Sequence, residues 1–243
     1  MVDVSALHST ERRIILKLIH APELGFNELW AREGESNAFA YHVNKLESLG
    51  VIVKRTNGSY GLSEEGKKLS AFIEGDTGTR AEFPTISTVM LVQQGDKWLC
   101  QKRLKEPFYG YWGFTSGKIN FGFNLFECAS RDLMEETGLK ADKWTLKAIE
   151  MVKTLDRKTG KMLYHHYLFH VHTDTASGIV KERTHKAEHA WLTLDEYKKK
   201  ETFPSEKFFE HIIPAQKPIL MEAERYMEDG KFVGMKTVSV VSF

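Results

Sequence analysis

The chain has 243 residues, a formal net charge of +1, 42% hydrophobic and 28% charged residues, and a mean hydropathy of -0.37. That length accommodates one large domain or two small ones, and the composition supplies a core, excludes general disorder and carries no global polybasic signal for nucleic acid or membrane. The two cysteines, Cys100 and Cys128, lack metal-type spacing. The first residues lack the apolar stretch of a secretion signal, and no uninterrupted apolar run is long enough to span a bilayer. A disulfide-free, cytoplasmic protein with no membrane partner is expected.

In chain order, the first expected element is a helix near Thr10 to His20, with Ile14, Ile15, Leu18 and Ile19 as its apolar stripe. A short helix follows around Asn27 to Arg32, and a third spans Asn37 to Leu49, with Ser36 as N-cap and Gly50 as the stop. Phe39, Val43, Leu46 and Leu49 share one helical face and are expected in the core. "VIVKRTNGSYGL" reads as two strands around Asn57-Gly58, and "SEEGKKLSAFI" as a helix capped by Ser63.

Helix, helix, helix and hairpin, with "YHVNKLESLGVI" at the centre, resembles a winged helix-turn-helix domain from about Ser9 to Ile73. The resemblance implies that the third helix enters the major groove of double-stranded DNA. It would present Asn37, Ala40, Tyr41, Asn44 and Lys45, with Lys54, Arg55 and Asn57 on the wing. Residues 1–78 hold nine Lys plus Arg against eleven Asp plus Glu, so a protein-binding or dimerisation role stands beside DNA binding.

"EGDTGTRAEFPT" reads as a linker. The expected division is a winged-helix domain over 1–75, a linker over 76–85, a second domain over 86–200, and a C-terminal helix and strand extension over 201–243, packed on that second domain. "ISTVMLVQQGDKWLCQKR" begins the second domain as a hairpin around "QGD". Asn124 to Thr137 reads as a helix, with Asn124 as N-cap and Gly138 in the left-handed position after it. At about 100° per residue, Asp132, Glu135 and Glu136 share one arc, while Phe126, Ala129, Leu133 and Met134 form the packing face. Such a cluster of hard oxygens suits Mg2+ or Mn2+, or is simply a solvated acidic face.

Gly117 to Leu139 resembles the Nudix box, G-x5-E-x7-R-E-U-x-E-E-x-G-U with U a bulky aliphatic. Seven of nine specified positions match: Gly117, Arg131, Leu133, Glu135, Glu136, Gly138 and Leu139. Asp132 replaces Glu conservatively, and Phe123 replaces Glu outright. The flank "YWGFTSGK" is similar to the run that leads into the box, and "HAWLTLDEY" to the strand and short helix that close the fold. The resemblance implies an α+β chain whose Nudix part is an α/β/α sandwich on a mixed sheet. It implies metal-dependent hydrolysis of a nucleoside diphosphate linked to another group, a nucleotide-type small molecule.

By family position, Asp132, Glu135 and Glu136 would hold the metal, with Glu135 and Glu136 the principal catalytic ligands. Arg131 would brace the carboxylates, with Glu127 an available partner for it. Gly117 would let backbone approach the metal or phosphate. A later loop supplies Glu182 and Glu188, of which Glu188 is favoured as ligand or base. Arg103 and Lys118 are the candidates for phosphate. Phe108, Tyr109 and Tyr111 offer rings for stacking or for packing, and alternation in "YHHYLFHVH" puts His166, His170 and His172 on one strand face. Because Phe123 breaks the pattern, the competing expectation is a transcription regulator that binds a nucleotide metabolite without cleaving it. The final strand is expected to pair in its own sheet or across a homodimer.

Overall fold

Helical spacing governs the N-terminal part of the chain and alternation the rest. The computed structural model describes residues 2–204 and 211–243, and the chain divides into a unit ending at Phe83 and a unit Pro84–Phe243.

The first unit contains α1 (Ser9–His20), α2 (Phe26–Trp30), α3 (Ser36–Ser48), the strands β1 (Ile52–Lys54) and β2 (Tyr60–Leu62), and α4 (Glu64–Ser70). Ile14, Ile15 and Leu18 of α1 join Phe39, Val43 and Leu46 of α3 in one core. β1 and β2 pair antiparallel, and the Ser63 hydroxyl accepts from Gly66 N at 3.0 Å, capping α4. Two local expectations are corrected. Ser36 is the first helical residue, preceded by Glu35, which makes no side-chain cap. Leu49 is 42% exposed, because α3 ends at Ser48 and the chain turns away through Gly50 at φ +70.

A charged residue ties α1 to α3. The Glu11 side chain is fully buried and accepts from His42 Nδ1 at 2.9 Å, lies 2.8 Å from Lys45 Nζ, and accepts from His8 N at 3.0 Å. Burial opposes its ionisation, but Lys45 and His42 outweigh burial and hold the carboxyl below the usual range.

The second unit contains β3 (Thr85–Gln94), β4 (Lys97–Arg103), β5 (Trp112–Lys118), α5 (Leu125–Thr137), β6 (Leu139–Lys140), β7 (Thr145–Asp156), β8 (Met162–Thr173), β9 (Ser177–Gly178), β10 (Ala187–Thr193), α6 (Leu194–Lys198), β11 (Ile219–Glu228) and β12 (Lys231–Ser242). Eight of these strands form one mixed sheet in the order β10-β4-β5-β3-β8-β7-β11-β12. The β3–β8 and β7–β11 pairs are parallel, and the other neighbours are antiparallel. Alternation splits the core. Met90 and Val92 of β3 pack with Ala129 and Leu133 of α5, while Val89 and Leu91 pack with Tyr197 of α6. Among the described residues, α5 lies on one face and α6 on the other.

The C-terminal region departs from expectation. Of the helix foreseen there, residues 205–210 lie outside the described residues, and Ile219–Glu228 is strand β11. Its Ile219, Met221 and Ala223 alternate and are buried, which is strand periodicity. β12 pairs with β11 in its own sheet. Among the described residues, no helix is long and apolar enough to cross a membrane.

Candidate active site

Helix α5 is placed by its ends. The Asn124 side chain accepts from Phe126 N at 3.1 Å and Glu127 N at 3.0 Å, and Glu127 Oε2 accepts back from Asn124 N at 3.1 Å. Glu127 is thus spent on the cap and is not the partner of Arg131. Gly138 closes the helix at φ +80, as its position required. The buried stripe runs through Cys128, Ala129, Asp132, Leu133 and Thr137. Phe126 is 40% exposed and Met134 only half-buried, so the packing face is rotated from the expected one and takes in Asp132.

That rotation presses Asp132 against β5. A Cβ built on Gly117 would collide with the Asp132 carboxylate. Gly117 is therefore needed for helix–strand contact, and it also lines the cavity of the α5 carboxylates. Asp132 Oδ1 accepts from Arg131 Nε at 2.9 Å and Nη2 at 2.7 Å. Asp132 Oδ2 is buried and makes no hydrogen bond among the described residues. Burial, reinforced by Glu135 and Glu136, pushes the Asp132 carboxyl above its ordinary range despite Arg131. Where the box pattern calls for a Glu, the Phe123 ring lies under the Arg131 guanidinium, 5.0 Å from ring centre to Cζ.

Asp132, Glu135 and Glu136 line one cavity of about 770 Å³, and Arg103 and Lys118 line it too. Arg103 donates through Nε to Pro107 O at 2.9 Å, and burial lowers its pKa. The structure thus brings both expected phosphate contacts to the expected carboxylates. It does not bring Glu188. That residue faces Arg183, 2.7 Å from its Nη1, and with Glu182 lines a separate cavity. Sheet order explains this: Glu188 lies on β10, opposite Lys102 of β4 and two strands from β5.

The donors for a divalent ion fit in kind, being all carboxylate oxygens, one of them the unpartnered Asp132 Oδ2. Among the described residues, however, no three His, Cys, Asp or Glu side chains stand in an arrangement that would hold a metal ion. Cations hold two of the three carboxylates: Arg131 on Asp132, and Lys186 Nζ 2.9 Å from Glu136 Oε1.

Sequence reasoning missed the other wall of this cavity. Glu150, His170 and Arg225 line it, from β7, β8 and β11. Glu150 Oε2 accepts from His170 Nε2 at 2.9 Å, and Oε1 from Arg225 Nη2 at 3.2 Å. Burial opposes the Glu150 charge, yet Arg225 and His170 hold its pKa below the usual range. One signal was available: Glu150 alternates with Ala148 and Val152 on a buried strand face, and a charge there demands a partner. Alternation foresaw a shared strand face for His166, His170 and His172 but not the cavity that Tyr164, His166, Leu168 and His170 line, while His172 donates through Nε2 to Gln93 Oε1 at 3.0 Å. Of the three rings considered for stacking, Phe108 lines the cavity, Tyr109 is 59% exposed and Tyr111 is buried.

Sheet order, box helix and cavity bring three carboxylates and two cations together on a mixed sheet, and the comparisons carry that arrangement to a family. The NUDIX domain model matches residues 83–212, more than half of the chain. The chain belongs to the Nudix family. Its fold is similar to that of a MutT protein from Bacillus halodurans, at a TM-score of 0.53 and 21% identity over 63% of this chain and 97% of that one. A MutT NUDIX hydrolase from Burkholderia pseudomallei matches at 23% identity and a TM-score of 0.41, over 47% of this chain and 87% of that one. The NUDIX domain of Shewanella oneidensis NrtR, complexed with ADP ribose, matches at 17% identity and a TM-score of 0.41, over 57% and 88%.

Proposed function

We propose that the chain is a metal-dependent Nudix hydrolase cleaving a nucleoside diphosphate linked to another group. The observation that carries this reading is the shared cavity, in which Asp132, Glu135 and Glu136 meet Arg103 and Lys118. Asp132, Glu135 and Glu136 would hold Mg2+ or Mn2+, which when bound would polarise a phosphoryl group and acidify water. Arg103 and Lys118 would bind phosphate oxygens, and burial of Arg103 strengthens its attraction for them. Arg131 orients Asp132 through two hydrogen bonds. Lys186 screens Glu136 and must yield it when the ion binds. Glu188 takes no part in this reading, because it lies in the other cavity.

The test is phosphate or nucleotide release from a panel of nucleoside diphosphate derivatives with Mg2+ or Mn2+. Turnover is expected, and Glu136→Gln lowers it by about 100-fold or more, the scale for losing one electrostatic stabiliser. Absence of metal-dependent turnover across the panel sinks the reading.

A second reading is favoured by one observation. Arg131 is paired with Asp132 and Lys186 with Glu136, as suits a site that binds a nucleotide and does not cleave it. In that case the N-terminal three helices and hairpin act as a winged helix-turn-helix module on double-stranded DNA, and the bound nucleotide is the effector.

A further inference from the structure

Sheet order gives the cavity two chemically different ends. Arg103 and Lys118, on β4 and β5, lie with the α5 carboxylates at one, and His170, Glu150 and Arg225, on β8, β7 and β11, lie at least two strands beyond β5 at the other. At this second end the side chains are almost closed off: Glu150 is 2% exposed, His170 3% and Arg225 13%. The Arg225 guanidinium and the Glu150 carboxylate compensate each other's charge, so this end has no surplus positive charge with which to draw a phosphate. Arg225 still has a donor to spare. Its Nε is buried and makes no hydrogen bond among the described residues, and a buried N–H without an acceptor is costly.

The walls beside this donor are flat and aromatic. Phe108 lies 5.2 Å from Tyr164 and 5.5 Å from Phe203, centroid to centroid, and all three line the cavity with His166. Burial lowers the His166 pKa, which keeps its ring neutral. Neutral rings beside a charge-compensated spare donor suit a planar heterocycle that offers an oxygen acceptor.

Resting on the hydrolase reading above, we propose that this end is a base-recognition subsite in which Arg225, held by Glu150, selects a nucleoside diphosphate whose base carries a ring carbonyl, such as a 6-oxopurine, over a 6-aminopurine. An amino group at that position sets donor against donor, whereas a carbonyl accepts from Arg225. Glu150 and His170 are positioning residues here: they fix the guanidinium, and Glu150 keeps it from acting as a second phosphate site.

The test is calorimetric binding of GDP, IDP and ADP to the full chain, in chelator so that turnover does not intervene, and again with Mg2+. GDP and IDP are expected to bind about 10-fold or more tightly than ADP. Arg225→Met brings the ratio of GDP to ADP affinity within about twofold. Because Arg225→Met leaves Glu150 with one partner fewer, the Glu150→Gln/Arg225→Met pair is measured beside it and is expected to show the same loss of preference. Equal wild-type affinities, no binding of any of the three, or a preference that survives in the pair overturns the proposal. Turnover of the panel without base preference overturns this proposal alone. Base-selective binding without turnover supports it and sinks the hydrolase reading instead.

Discussion

Gly117 and Asp132 occupy one volume between them. The box pattern fixes both residue types, but their contact is visible only once α5 is laid on β5, where a Cβ at 117 would enter the Asp132 carboxylate. Gly117→Ala is therefore expected to destabilise the second unit by about 1–3 kcal/mol, the usual cost of overpacking. It should also push Asp132 away from Arg131. In the Gly117→Ala background, Asp132→Ala should restore part of the lost stability, since it removes the obstructing carboxylate; a thermal-unfolding double-mutant cycle reads this coupling. Additive losses would show that the two side chains do not compete. Phe123 is the contrasting case. The pattern flagged it as a break, yet the structure shows its ring in contact with Arg131, so the position supports that arginine through a π face.

At the scale of elements, caps and periodicities were legible and partner choices were not. Asn124, Ser63, Gly50 and Gly138 end or begin their elements as their chemistry dictates. Local hydrogen bonding decides such positions, and it is written in neighbouring residues. Glu150 and Arg225 are 75 residues apart in sequence and meet only because β7 and β11 pair in parallel. No local pattern encodes that pairing. Lys45 makes the same point in the first unit. Its place on α3 suggested an outward, DNA-facing side chain, and in the structure it is half-exposed and paired with Glu11. Glu11→Gln is expected to cost the first unit about 3 kcal/mol, as for a buried ion pair broken on one side. It should read out as faster hydrogen exchange of the α1 and α3 amides. Because the folded pKa of Glu11 lies below its unfolded value, its contribution is complete above the ordinary carboxylate range and is lost as pH falls through the folded pKa. The difference between wild type and variant should therefore shrink in acid. A difference independent of pH would mean that the charge is not what ties the helices.

For the whole molecule, a change of composition marks the stretch in which the two units meet. The polar linker stretch ends where the alternating strand β3 begins, and the division falls at Phe83 and Pro84. What the first unit does is less constrained by composition than by which cations remain free. With Lys45 tied to Glu11, the face proposed for DNA keeps Asn37, Tyr41 and Asn44 exposed on α3, and Lys54 and Arg55 exposed at the hairpin. Two cations neutralise about two phosphates, so log K against log salt should have a slope of only about −2. Affinity that shallow cannot rest on charge and must come from base contacts by the exposed amides of α3. Selection of the full chain on a random duplex pool should then enrich a defined sequence. Asn44→Ala should relax the preference at about one base pair, while Lys54→Ala should weaken all duplexes alike and reduce the slope by about 1. A pool that returns no sequence, together with no retention of any duplex at low salt, would assign the unit to protein contact and leave the second unit's chemistry to stand on its own.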